Sequence, residues 1–387
     1  MAVANPGITG AVQTQANSSS GLWLRSRNWD LMFITLSVIF VPLPYLVYLL
    51  AVRLGMNEDV SRNLVNGFVA IAIGGPHMMS TFLRTGLDKG FSSRYPMLIR
   101  SSIIIPIVVV SLAFLNLHLL LTIFFFWAAT HVLHQVSYIV ELYRHKETKF
   151  VRKSTVTLQA RIIDYAVIMT CLFPFAALKI SQGSFVVGVN DLTSIVPDLF
   201  QHQWFFIVMS GAFAVALVAF LGKTYMEYRG GYINWPKTIF ILLTVAVAFT
   251  MPALPNLDTA FQGLNTWHSF QYLALTFYII KVRQMYGQLN NAPLVERFSK
   301  GKDSRGLFAL STLMLVGSVV VFVLVYAVAG FIKPGIDSNT HFDIAYYTAI
   351  LSFLWIHYYH DHFLFTNFEA LDEAFGGAPA QPKTSGD

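Results

Sequence analysis

The sequence predicts an all-α fold: a polytopic integral membrane helix bundle of about ten transmembrane helices, with both termini cytoplasmic. Three observations lead there. Hydrophobic residues form 55% of the 387-residue chain and charged residues only 12%, a balance outside the range of soluble globular domains. Apolar runs at 31–52, at 103–113 with its continuation and at 307–330 approach or exceed the ~20 residues that cross a bilayer. The basic residues, finally, fall in alternate connecting segments.

Taken in order, the expected spans lie near 29–52, 63–83, 97–116, 118–142, 160–182, 203–222, 237–253, 260–281, 306–331 and 343–367. Only a tight turn at Asn116–His118 separates the third from the fourth, so these two should be antiparallel neighbours. With the N-terminus inside, 22 of the 26 Lys and Arg residues fall in inner segments, and only Arg53, Arg62, Lys179 and Lys333 lie outside. This is the asymmetry of the positive-inside rule, and a miscounted span would scramble it. It also accounts for the net charge of +6 without a nucleic-acid partner. The expected location is a bacterial inner membrane.

Residues 1–22 are small and polar, without the basic and apolar regions of a signal peptide, and read as a disordered tail. Residues 376–387 read likewise. Between them, 23–375 reads as one transmembrane domain without an internal repeat. Cys171 is the sole cysteine, which excludes an intramolecular disulfide, a cysteine-based zinc site or an iron–sulfur cluster within one chain.

Function is written in the histidines. Seven of the eleven, His77, His131, His134, His268, His357, His360 and His362, fall on four predicted spans within one slab of the inner leaflet. Ionisable side chains in hydrocarbon cost free energy and mark functional sites by default. His118, His202 and His341 instead sit at outer helix ends or loops, and His145 lies among Arg144, Lys146 and Lys149 at the inner surface.

His131/His134 and His357/His360 are i,i+3 pairs, and residues three apart share a helix face. Helix bundles build iron and manganese sites from such inward-facing pairs. Neutral imidazole suits iron, zinc, copper and nickel. The expected ligands are therefore His77, His131, His134, His268, His357 and His360. His362 ranks below them, since five residues at ~100° each turn it about 140° from His357.

Neighbouring residues add possible roles. Gly74-Gly75-Pro76 interrupts the second span just before His77: glycine permits close backbone approach, and proline frees a carbonyl one turn earlier. Glu141, seven residues after His134, reads as a ligand, a supporting carboxylate or an interfacial charge. Asp361 could orient an imidazole through its second nitrogen. Gln271 and Tyr272 follow His268, and Gln135 and Tyr138 follow His134. They read as hydrogen-bond partners of ligands or as polar glue between helices, with Tyr272 and Tyr138 available for proton or oxygen handling.

Gly74-Gly75-Pro76-His77 is similar to the Gly-x-Pro-His element of the Brp/Blh-like carotenoid dioxygenases, membrane enzymes that hold a non-haem iron with histidines from several spans. The match departs after the histidine, where Met78-Met79-Ser80 replaces small residues and an acid, and the later pairs are His-x-x-His rather than His-x-x-x-His. His357-Tyr-Tyr-His360-Asp-His362 resembles a histidine box of the fatty-acid desaturase and hydroxylase class, although this chain lacks a His-His doublet and has more spans. These resemblances cover a few motifs. They imply a membrane oxidoreductase with one or two non-haem iron ions, acting with O₂ and possible electron-donor protein on a lipid-soluble substrate (a carotenoid, isoprenoid or acyl chain). A haem protein with histidine axial ligands, a metal or proton transporter and a structural subunit are the alternatives.

Overall fold

Backbone in hydrocarbon must satisfy its own hydrogen bonds, and helices do so within a single segment. The computed structural model, which describes residues 22–150, 157–187, 190–335 and 338–366, is accordingly built of ten long helical stretches. They are α1 (Arg27–Arg53), α2 (58–83), α3 (Pro96–Leu115), α4 (Leu117–Phe150), α5 (Leu158–Ser181), α6 (Gln203–Arg229), α7 (Trp235–Ala253), α8 (Leu257–Met285), α9 (Arg305–Ile332) and α10 (Ser338–Thr366). The predicted tails and the boundary at 375 lie outside the described residues. A two-residue antiparallel pairing, Val186–Val187 with Asn190–Asp191, is the only sheet among the described residues.

Local sequence sets many of the helix ends. Asn57 caps α2 by accepting hydrogen bonds from Asp59 N and Val60 N, and Thr157 caps α5 through Ala160 N. Asn116 alone separates α3 from α4. Its N–H bonds Leu112 O while its side chain accepts from Leu119 N, which makes the tight reversal expected from the sequence.

Seven of the ten stretches are long and apolar enough to cross a membrane: α1, α3, α4, α5, α6, α7 and α9. Several of these expose their apolar surface. Only 6% of the most apolar window of α9 is buried, and 17% in α3 and α6; Phe331 is 91% exposed. In water such surfaces would aggregate, whereas in lipid they are the solvent-matched face. The three stretches outside this group, α2, α8 and α10, are more polar, and α8, α10 and the C-terminal part of α2 lie inside. Together with α4 they form a ring in which α2 packs on α8, α8 on α4, α4 on α10 and α10 on α2.

Close packing brings α8 onto α1. A Cβ on Gly263 would stand 1.9 Å from the Val41 carbonyl oxygen, and backbone cannot yield as a flexible side chain can. Gly263→Ala is expected to destabilise the protein by about 1–3 kcal/mol through overpacking, seen as a lower melting temperature in detergent micelles. Gly211→Ala, with nothing within 4 Å of the added carbon, serves as control.

Some of the basic residues assigned to inner segments prove to be buried. Arg144, Lys223 and Lys237 are 3%, 6% and 3% exposed and surround Asp164, which is fully buried. Asp164 accepts from Arg144 at 2.7 Å and Lys223 at 2.6 Å, with Lys237 at 3.5 Å. Glu147 adds a second carboxylate, 3.8 Å from Lys237 and accepting from Asn234 at 3.0 Å. The network ties α4, α5, α6 and α7 together at one end of the bundle.

Candidate metal centre

Each helix of the inner ring contributes one histidine to a common point: His77 from α2, His131 from α4, His268 from α8 and His357 from α10. All four are buried, and one nitrogen from each lies within 4.8 Å of the others. Ring contacts follow the packing order of the helices, with centroids 4.7 Å apart for His77–His268, 4.3 Å for His77–His357, and 5.0 Å for both His131–His268 and His131–His357.

The backbone of α2 explains how His77 arrives there. Residues Ala70–Gly74 form a π turn closed by the Gly75 N–H on Ala70 O, and Pro76 opens the next turn of α-helix. The wider turn re-aims the helix face just ahead of the histidine. Gly75 is required because a Cβ would meet the Leu315 side chain at 2.5 Å and Ala70 O at 2.9 Å. The Gly-Gly-Pro signal thus marks a π turn, more specific than a proline kink.

His77 Nε2, His131 Nε2, His357 Nε2 and both ring nitrogens of His268 are buried without a hydrogen-bond partner. Orphaned buried polar atoms are costly, and four converging sets of them define a nitrogen cage for a cation. The surrounding hydroxyls prepare it. Ser269 Oγ donates to Asn265 Oδ1 at 3.3 Å and so can accept from His77 Nδ1 at 3.0 Å. Thr81 Oγ1 donates to Asp361 Oδ1 at 3.0 Å and so can accept from His357 Nδ1 at 2.5 Å. With the proton on Nδ1 in both cases, the unpartnered Nε2 of each ring is left with a lone pair for a cation.

Asp361 is fully buried beside these rings. Its Oδ1 also accepts from the Tyr272 hydroxyl at 2.6 Å, and its Oδ2 lies 3.4 Å from His357 Nδ1 and 4.0 Å from His131 Nε2. Asp361 and Tyr272 therefore belong to the shell that holds the histidines. Arg84, 6% exposed, approaches the Tyr138 hydroxyl and acts on the Asp361 carboxylate. Tyr138 itself stacks on Phe365 at 4.7 Å.

Three expected histidine ligands are placed elsewhere. His360 has both nitrogens engaged, Nδ1 with Thr85 Oγ1 at 3.0 Å and Nε2 with Ser102 Oγ at 2.7 Å. His134 packs on His362 at 5.1 Å and on Phe365 at 5.3 Å, and His362 is exposed. The reason is geometric. An i+3 neighbour is displaced by ~4.5 Å along the helix and by about 60° around it, so when four helices each supply one ring, the second member of a pair overshoots the centre.

Of the three readings of Glu141, its contacts match the interfacial charge and not the ligand. It is paired with Arg144 and with Arg161 at 3.2 Å, and accepts from Tyr165 at 2.8 Å, as part of the charged layer of α4 and α5. Gln135 donates to His268 O at 3.0 Å and Gln271 to Ile34 O at 2.7 Å, the polar glue between helices that was one of their two readings. Sequence reasoning missed Thr81, Ser269 and the buried position of Arg84. Thr81 alone carried a signal, lying four residues after His77 on the same helix face.

The fold and site together define an all-α, membrane-type helical protein with a buried four-histidine cluster able to hold a metal ion. Compared with known family models, curated proteins and solved structures, the chain matches none.

Proposed function

We propose that this protein is an integral-membrane oxidoreductase that holds one non-haem iron ion on His77, His131, His268 and His357 and uses O₂ to oxidise a lipid-soluble substrate. The carrying observation is the convergence of four imidazoles, one from each helix of the inner ring, within 4.8 Å, each with at least one buried nitrogen that has no hydrogen-bond partner. Four neutral nitrogen donors suit a borderline divalent transition metal. Their mutual contact favours a bare ion over haem, because rings 4.3–5.0 Å apart leave no plane for a macrocycle.

When bound, iron would supply one-electron and oxygen chemistry that no side chain can. The chain's own residues do the remainder. Thr81 and Ser269 keep two imidazoles in the ligating tautomer, Asp361 with Tyr272 supports them from the side, and the surrounding apolar helices exclude water. Apolar lipid-facing surfaces on α3, α6 and α9 suit entry of a hydrocarbon substrate from the bilayer. All ten helical stretches would cross the membrane, with both termini cytoplasmic. The Gly74-Gly75-Pro76-His77 resemblance to carotenoid dioxygenases points to the same substrate class.

Metal analysis of protein purified in detergent tests this directly. One iron per chain without a Soret band is the expected result. Zinc in its place would redirect the reading to Lewis-acid chemistry, and no bound metal after reconstitution with ferrous ion would overturn it.

A further inference from the structure

On the side of the histidine cluster toward the N-terminal end of α8 lies a second feature that the metal reading does not use. A pocket of about 20 Å³ is lined by α4, α5, α7, α8 and the segment that follows α5, with Phe125, Leu172, Phe185, Met251, Phe261 and Leu264 among its walls. None of its ten lining residues carries a hydroxyl, amide or charge. By volume it could hold one water, but an ordered water needs two to four polar partners, and apolar cavities stay dry while accepting apolar guests such as xenon.

Its position is the second observation. Leu257, Phe261, Leu264 and His268 recur at spacings of four, three and four along α8, which places them on one face of that helix. Three line the cavity, and the fourth is the histidine with both nitrogens unpartnered. Leu264 and His268 are separated by one turn, ~6 Å along the axis. Leu264 is 1% exposed and, in order along that face of α8, comes between Phe261 and His268.

We propose that this cavity is a holding site for a small apolar gas molecule, positioned to deliver dioxygen to the four-histidine centre. The volume suits a diatomic better than a hydrocarbon chain, which assigns the site to the co-substrate. Gas binding follows from the cavity alone, whereas its use by the centre rests on the proposed iron and O₂ chemistry.

Xenon separates the two. Crystals of the wild-type protein pressurised with xenon should show one anomalous peak between Phe261 and Leu264. Leu264→Phe should lose that peak, retain its metal, and slow the oxidation of the ferrous protein by dissolved oxygen in stopped-flow mixing. Should that variant fail to fold, Ala176→Leu fills the cavity from the α5 wall and gives the same readout. Absence of the xenon peak in the wild type overturns the proposal, as does a filled-cavity variant whose ferrous protein oxidises at the wild-type rate. A xenon peak in a protein that binds no metal would retain the gas site and remove the function built around it.

Discussion

Alanine at any one of His77, His131, His268 or His357 is expected to empty the metal centre, whereas alanine at His134, His360 or His362 should leave metal content near that of the wild type. The four converging nitrogens lack any other partner, so removing one subtracts a ligand outright. His360 makes its two hydrogen bonds to Thr85 and Ser102, and its loss would be felt as packing. Thr81→Val provides the intermediate case: it keeps all four ligands but takes away the acceptor for His357 Nδ1. Outer partners of this kind are worth ~10–100-fold in metal affinity, and loss of a ligand should exceed that. Competition with a chelator, read by elemental analysis of each variant, would rank them. Equal loss across all seven histidines would mean that the cluster is structural glue.

The second large effect is on stability. Asp164→Asn removes the carboxylate at the centre of Arg144, Lys223 and Lys237, all nearly buried. Breaking a buried ion pair from one side costs about 3–5 kcal/mol, because the remaining charge is left desolvated and unpaired; here three cations are left to share Glu147 and their outer neighbours. A large fall in melting temperature in micelles is expected. Glu296→Gln, which removes the partner of 65%-exposed Lys300 at 3.4 Å, should move it little, since exposed pairs contribute ~0–1 kcal/mol. If both variants melt together, the Asp164 network is not holding α4 to α7 in place.

The difference between Asp164 and Glu296 shows what could be read from residue order and what could not. Arg144, Lys223 and Lys237 were countable as inner-side cations, and the count gave an orientation. That they converge on one aspartate depends on how α5, α6 and α7 pack against α4, which no periodicity encodes. The choice among the three readings of Glu141 was open for the same reason: seven residues from His134 brings it to a shared helical face, but Arg144, Arg161 and Tyr165 claim it from neighbouring turns and helices.

The four helices that bear the cluster were legible, and so was a shared level for one histidine of each, because helical rise converts residue number into distance along a span. Polarity was informative in a further way. Of the four helices in the inner ring, α2, α8 and α10 are the stretches outside the seven most membrane-like ones, because residues that face one another in a protein interior need not match lipid.

Sequence by itself therefore determined an all-helical, membrane-type chain, the identity of the histidine-bearing helices and the common level of their imidazoles. Only the tertiary structure decided that His77, His131, His268 and His357 meet, that His134, His360 and His362 do not, and that Thr81 and Asp361 stand beside them. The physical reason is that a period of 3.6 residues gives the direction of a side chain around its own axis, whereas convergence on a point requires the distances and rotations between axes, and these are settled by the side chains of every helix packing at once.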